Sequence, residues 1–171
     1  MISRGRVLAA VGVILGFGVV SLLFAGSASL PIRDGVLKLP GLQAPVAVAF
    51  DAYGIPVVAA GDRLDAMRAL GYVTAQDRLF QMDLLRRNSA GRLAEVLGES
   101  GLQVDLRQRN LGLSSVAEAV LRRLPEEQRA VLEAYAEGVN AFLEQMTVPP
   151  FEFLLLGYRP ARWSPTDSIL L

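Results

Sequence analysis

The sequence predicts an α+β chain: a mostly helical N-terminal segment carrying one edge β-hairpin. Three observations lead there. Two short β-prone runs, Val46–Phe50 and Ile55–Ala59, flank a turn at Asp51-Ala52-Tyr53-Gly54. Apolar residues recur at helical spacing after Asp62 and again after Pro125. Ser164-Pro165-Thr166-Asp167 then reads as a strong helix start: N-cap, Pro at the first position and a carboxylate at the third. At 171 residues the chain can hold one domain with a sizeable core.

Each element has its own signal. In the hairpin, Gly54 can take the positive φ that a tight turn requires. Pro56 lacks an N–H, so the second strand lies at an edge or begins its pairing late. The bland reading, a surface hairpin, outweighs direct contact with a substrate. Asp62 is a fair N-cap, and Asp65 suits the positive end of the helix dipole. Ala66, Leu70, Val73, Phe80 and Leu84 then form one apolar stripe. Gly91 and Gly98 mark interruptions, with Gly98 as the C-terminal stop.

Ser115-Val116-Ala117-Glu118 matches a capping box that opens a short helix to about Leu124. Pro125 fits the first turn of the next helix, and Glu126 and Glu127 suit its dipole. Leu132, Tyr135, Val139, Phe142 and Met146 form its apolar stripe, read as core and not as a ligand box. Gly138 inside it costs about 1 kcal/mol against Ala, so a close helix crossing is expected there.

Asp77 falls on the stripe with Leu70, Val73, Phe80 and Leu84. A buried carboxylate needs a partner. Arg78 faces about 100° away, so the partner is expected from another element. The sharp reading is a catalytic acid. The stronger one is a buried structural carboxylate held by Arg or backbone donors. Arg86 and Arg87 are expected to be solvated or paired with Asp83, four residues before Arg87.

The N-terminus carries a membrane signal. Arg4 and Arg6 precede Val7–Gly26, 20 residues without a charge. That length can span a bilayer, while Gly26-Ser27-Ala28 offers small residues suited to a signal peptidase. A cleaved signal and a retained anchor both stay open, and both place the rest of the chain outside the cytoplasm. A buried core helix is the minor alternative. Gly12-x-x-x-Gly16 could pack two such helices. The expected division is 1–28 as signal peptide or anchor, 29–45 as a linker broken by Pro31 and Pro40, and 46–171 as the domain.

Composition excludes several functions. Hydrophobic residues make up 52%, above the usual range of about 45–50%, and the excess comes largely from the N-terminal stretch. Formal net charge is zero, so nothing favours nucleic acid. Without Cys there is no disulfide framework and no thiol nucleophile. Without His a self-contained Ser-His-Asp hydrolase is ruled out within these residues. Walker, G-x-G-x-x-G, EF-hand and G-x-S-x-G patterns are all missing from the sequence.

Four motifs in order carry a family resemblance. They are Asp51-Ala52-Tyr53-Gly54-Ile55-Pro56; Gly71 to Leu97 (GYVTAQDRLFQMDLLRRNSAGRLAEVL); Glu133-Ala134-Tyr135-Ala136-Glu137-Gly138-Val139-Asn140-Ala141-Phe142; and Leu156-Gly157-Tyr158-Arg159-Pro160-Ala161-Arg162-Trp163-Ser164-Pro165-Thr166-Asp167. Over residues 46 to 171 the chain resembles the α-chain region of the penicillin acylase family, the N-terminal-nucleophile amidohydrolases.

The resemblance implies an αββα sandwich when complete, into whose sheet the hairpin feeds. It also implies a precursor cut by its own chemistry at a Gly-Ser junction. The freed Ser would be the nucleophile, its α-amine the base, and backbone and Asn donors would hold the oxyanion. An α-amine titrates near pH 8, which fits a chain without His. All these groups belong to the later β-chain, the expected partner. No catalytic, cofactor-binding or metal residue is therefore assigned within this sequence. Calcium is implied for the complete enzyme, with its ligands elsewhere. The substrate class is an acylated amide: a β-lactam, an acyl-homoserine lactone or a cyclic lipopeptide.

The helix from Ser164 stops at Leu171 after under two turns, which cannot stand alone in water. The sequence is therefore expected to be truncated. The rival reading is a membrane-tethered, non-catalytic helical binding module. A Gly-Ser junction followed by several hundred residues after Leu171 supports the acylase, and an early stop codon supports the rival.

Overall fold

The computed structural model describes residues 30–171. The apolar run Val7–Gly26, its Gly12-x-x-x-Gly16 pattern and the choice between signal and anchor lie outside the described residues. Among the described residues no helix is long and apolar enough to cross a membrane. The elements run β1 (Ala47–Phe50), β2 (Pro56–Ala59), α1 (Arg63–Ala90), α2 (Ala94–Leu97), α3 (Glu99–Leu111), α4 (Leu113–Arg123), α5 (Glu126–Gln145), α6 (Phe151–Leu156) and α7 (Pro165–Leu170).

The strands pair antiparallel, with Ala47 opposite Ala59 and Phe50 opposite Pro56. Pro56 thus sits at the first position of its strand, where a missing donor costs least. Gly54 has φ 77°. The Asp51 carboxylate accepts from Tyr53 N and Ile55 N, both at 2.8 Å, and locks the turn. One face of the ribbon is half-buried, whereas Ala47, Ala49, Val57 and Ala59 lie exposed on the other. The segment before the ribbon is irregular and pinned by side chains. The Asp65 carboxylate accepts from Gln43 N and Ala44 N, and Gln76 donates to Ile32 O at 2.8 Å. Asp65 is thereby buried, serving as a receptor for a loop as well as a dipole charge.

Helix α1 is capped by Asp62, whose side chain accepts from Leu64 N and Asp65 N. It ends at Gly91, in the left-handed region, and Gly98 instead closes the single turn α2. Its buried face differs from the expected one. Asp65, Ala69, Tyr72, Gln76, Leu79, Asp83 and Arg86 are buried, at alternating spacings of four and three. That face lies one residue, about 100°, from the stripe through Ala66, Leu70, Val73, Phe80 and Leu84, of which Val73 is buried and Phe80 packs on the core, while Ala66, Leu70 and Leu84 are only half-buried. Polar residues on the buried face explain the error: hydropathy periodicity registers them as solvent-facing. The helix also departs from helical geometry at Arg78, with φ −135° and ψ 22°.

Helix α5 crosses α1 at two glycines. A Cβ on Gly138 would lie 1.9 Å from Arg68 O, and one on Gly71 would lie 2.1 Å from Tyr135 O. Each glycine accommodates the other helix's backbone, which bears out the close crossing expected at Gly138. Beside it, Ala75, Leu79 and Met82 of α1 meet Ala136 and Val139 of α5, with Phe153 and Trp163 closing the cluster. Tyr135, Phe142 and Met146 pack against this core, as their stripe implied.

The Ser115 capping box does not form. Helix α4 begins at Leu113, behind Gly112 at φ 67°, so Ser115 lies inside the helix and caps nothing. Helix α7 does carry its expected box: the Ser164 side chain accepts from Asp167 N, and the Asp167 carboxylate accepts from Ser164 N at 2.7 Å.

Candidate functional site

The densest polar constellation among the described residues joins α1, α2 and the segment leading into α7. Asp83 lies at its centre, 1% exposed. Arg86 and Arg87 follow at i+3 and i+4, the spacings that bring side chains onto one helix face. Arg86 Nε and Nη2 donate to Asp83 Oδ1 at 2.9 and 2.5 Å. Arg87 Nε donates to Oδ2 at 2.8 Å, and the Tyr158 hydroxyl donates to the same oxygen at 2.8 Å. The pairing expected between Arg87 and Asp83 is therefore present, but both arginines are buried rather than solvated.

The arginines carry the network outward. Arg86 donates to Ala161 O at 2.9 Å, to Arg162 O at 3.0 Å and to Asp167 at 3.2 Å. Its guanidinium lies 5.0 Å from the Trp163 ring centroid. Arg87 reaches Glu95 at 2.5 Å and stacks on Tyr158 at 5.1 Å. From α5, Asn140 makes a reciprocal pair with Trp163: its Nδ2 donates to Trp163 O at 2.8 Å, and its Oδ1 accepts from Trp163 N at 2.7 Å. Both residues are buried. The start of α7 is thus held to α1 and α5 by side chains that substitute for backbone pairing.

The electrostatics follow from these contacts. Burial alone would raise the Asp83 pKa. Hydrogen bonds from Arg87 and Arg86, the Arg86 charge and the Tyr158 hydroxyl outweigh it and hold Asp83 below the usual carboxylate range. Tyr158 is pushed above the ordinary phenol value, first by burial and then by donating to the Asp83 carboxylate. Four donors occupy the two oxygens of Asp83, leaving little capacity to accept a proton from a substrate. The constellation therefore positions a segment and does not act as an acid or base.

Asp77 is a correction. It is exposed, not buried, and its partner is Arg78 at 3.3 Å, the neighbour expected to face away. The departure from helical geometry at Arg78 undoes the 100° separation that a regular helix would impose. Asp77 is thus neither a catalytic acid held in the core nor a buried structural carboxylate. Among the described residues the buried carboxylates are Asp65, Asp83 and Asp105. Asp105 accepts from Leu93 N at 2.7 Å and Ala94 N at 2.8 Å and so anchors α2. Its role has no local sequence signal, because its partners lie eleven and twelve residues away. The Asp83-x-x-Arg86-Arg87 spacing was readable, though the reach of Arg86 to residues 161 and 162 was not.

Comparison with known proteins gives this arrangement its context. The family model described as Penicillin amidase matches residues 45–171. The penicillin acylase 2 proenzyme of Pseudomonas sp. (strain SE83) is 47% identical over 142 residues, covering 83% of this chain and 18% of that protein. The acyl-homoserine lactone acylase QuiP of Pseudomonas aeruginosa is 40% identical over 144 residues, covering 84% of this chain and 17% of that protein. A solved structure, thermostable penicillin G acylase from Alcaligenes faecalis, superposes with a TM-score of 0.68 at 31% identity, covering 74% of this chain and 69% of that one. The chain spans under a fifth of the curated relatives it matches. A match over most of the chain, at these identities and in this fold, places it in the penicillin amidase family.

Proposed function

We propose that this chain forms the N-terminal part of an amidohydrolase that cleaves the acyl amide bond of a β-lactam, an acyl-homoserine lactone or a similar acylated amide. The observation that carries the reading is the 47% identity to a penicillin acylase proenzyme over 142 residues, 83% of this chain. The chemistry agrees. The sequence has no His and no Cys, and its central buried carboxylate is saturated with donors. The nucleophile and base are therefore supplied by the remaining polypeptide, the β-chain partner. This chain contributes packing, the hairpin and a fixed approach into α7.

Calcium belongs to the reading only through that remainder. Among the described residues no group of three or more His, Cys, Asp or Glu side chains is placed to hold a metal. Arg4 and Arg6 ahead of the apolar run support export, with the catalytic part beyond the cytoplasmic membrane.

The test is an assay of the full-length precursor and of residues 1–171 alone with chromogenic phenylacetyl and fatty-acyl amides. The precursor is expected to mature and turn over, and the fragment to be inactive. Turnover by the fragment, or none by a fully matured precursor on any acylated amide, contradicts the proposal.

A further inference from the structure

Beside the Asp83 network, Arg86, Arg87, Ala90, Arg92, Ala161, Arg162, Ser164 and Asp167 line a pocket of about 220 Å³. Four of its eight lining residues are arginines, and one is a carboxylate. The donors of Arg86 are committed to Asp83, Asp167 and the carbonyls of Ala161 and Arg162. Those of Arg87 are not. Its Nε goes to Asp83 and its Nη1 to Glu95, and its Nη2 has no hydrogen-bond partner among the described residues. Arg87 is only 8% exposed. Its Nη2 is nonetheless not among the sealed, partnerless buried atoms, where Gln108 Oε1 stands by itself within the described residues. Arg87 is a lining residue of the pocket, and so is Arg92. Arg92 adds a second unused amino group: its Nε and Nη2 hold Glu95, and its Nη1 has no partner among the described residues.

We infer that this pocket is an anion site that takes a small carboxylate or oxyanion, held by the free amino groups of Arg87 and Arg92. A guanidinium edge presents parallel donors that match the two oxygens of a carboxylate, and a partly desolvated donor gains most from a charged acceptor. Carboxylates in and beside the pocket already balance much of the positive charge: Asp167 of the lining, with Asp83 and Glu95 next to it, pairs with Arg86, Arg87 and Arg92. Arg162 adds a positive charge whose partner, Glu144, is itself exposed. Binding is therefore exchangeable and salt-sensitive. The site does not depend on the amidase reading, since none of its residues is assigned to the reaction. The ligand has two possible sources of the same chemistry: a free anion, or an Asp or Glu side chain from the rest of the polypeptide.

The test uses the full-length protein. Sodium acetate and sodium sulfate are titrated calorimetrically at fixed ionic strength into the parent and into Ala90→Glu, which places a carboxylate at the pocket wall. Ala161→Glu repeats the test from the segment before α7, should the first variant fold poorly. Saturable binding that either variant weakens tenfold or more supports a free anion. If no anion binds, a crystal structure of the full-length protein with an Asp or Glu carboxylate within hydrogen-bond distance of Arg87 Nη2 supports the internal source. No binding and no such carboxylate overturns the inference, as does binding that both variants leave unchanged.

Discussion

Two turns of α1, one at Asp77 and one at Asp83, begin from the same kind of sequence: an aspartate among apolar residues with arginine nearby. At Asp77 the helix leaves regular geometry, and the carboxylate pairs with Arg78 in solvent. At Asp83 the helix stays regular, so i+3 and i+4 bring two guanidiniums onto one buried carboxylate. A tyrosine from 75 residues away adds a fourth donor. The difference is the number of donors that geometry can deliver. An aspartate is buried where several converge and stays exposed where only an adjacent arginine is available.

The largest loss is expected for Asp83→Ala. It strands two buried arginines and is expected to destabilise the protein by about 3–5 kcal/mol, the usual cost of breaking a buried pair. Denaturant unfolding of the full-length protein measures it, and a loss under 1 kcal/mol would remove Asp83 from the centre of the account. Gly138→Ala is the apolar counterpart at the α1–α5 crossing. The added methyl meets Arg68 O, a backbone atom that cannot rotate away. A loss of about 1–3 kcal/mol or more is expected, and wild-type stability would show that the helices are free to separate.

Tyr158→Phe removes one donor from Asp83 and leaves the arginines. A hydrogen bond to a charged group contributes about 1.5–3 kcal/mol, so a loss in that range is expected from the same unfolding measurement. The pH dependence follows from the directions of the two shifts. Asp83 has a lowered folded pKa, so its contribution is present above the unfolded value near 3.9 and lost as pH falls through the folded one. Tyr158 has a raised folded pKa, so its contribution is present below about 10 and lost as pH rises beyond that. Stability measured from pH 2 to 5 should fall less steeply in Asp83→Asn than in the parent, and equal slopes would contradict the assignment.

The same contrast shows what the sequence could reveal. The hairpin, the Asp62 and Ser164 caps, the α5 stripe and the close approach at Gly138 all rest on local chemistry, and all were legible. The buried face of α1 was not. Its residues Asp65, Gln76, Asp83 and Arg86 are polar, and their burial depends on partners at residues 32, 43, 158 and 161, far along the chain. Periodicity of hydropathy therefore selected a face one residue away and took Asp77 into the core with it. The Ser115 box failed for a related reason: Gly112 turns the chain into α4 before the serine is reached.

The contrast between the two aspartates is tested most directly by Asp77→Ala and Asp83→Ala in the full-length protein, scoring the folded yield and, on the proposed amidohydrolase function, maturation and the turnover number. Asp77→Ala removes an exposed ion pair and should change stability by no more than about 0.5 kcal/mol, with normal yield and turnover. Asp83→Ala should lower the yield sharply, while whatever matures keeps near-normal turnover. If Asp77→Ala matures fully yet loses turnover by a hundredfold or so, about 2.7 kcal/mol, or if Asp83→Ala matures as well as the parent, the account is contradicted.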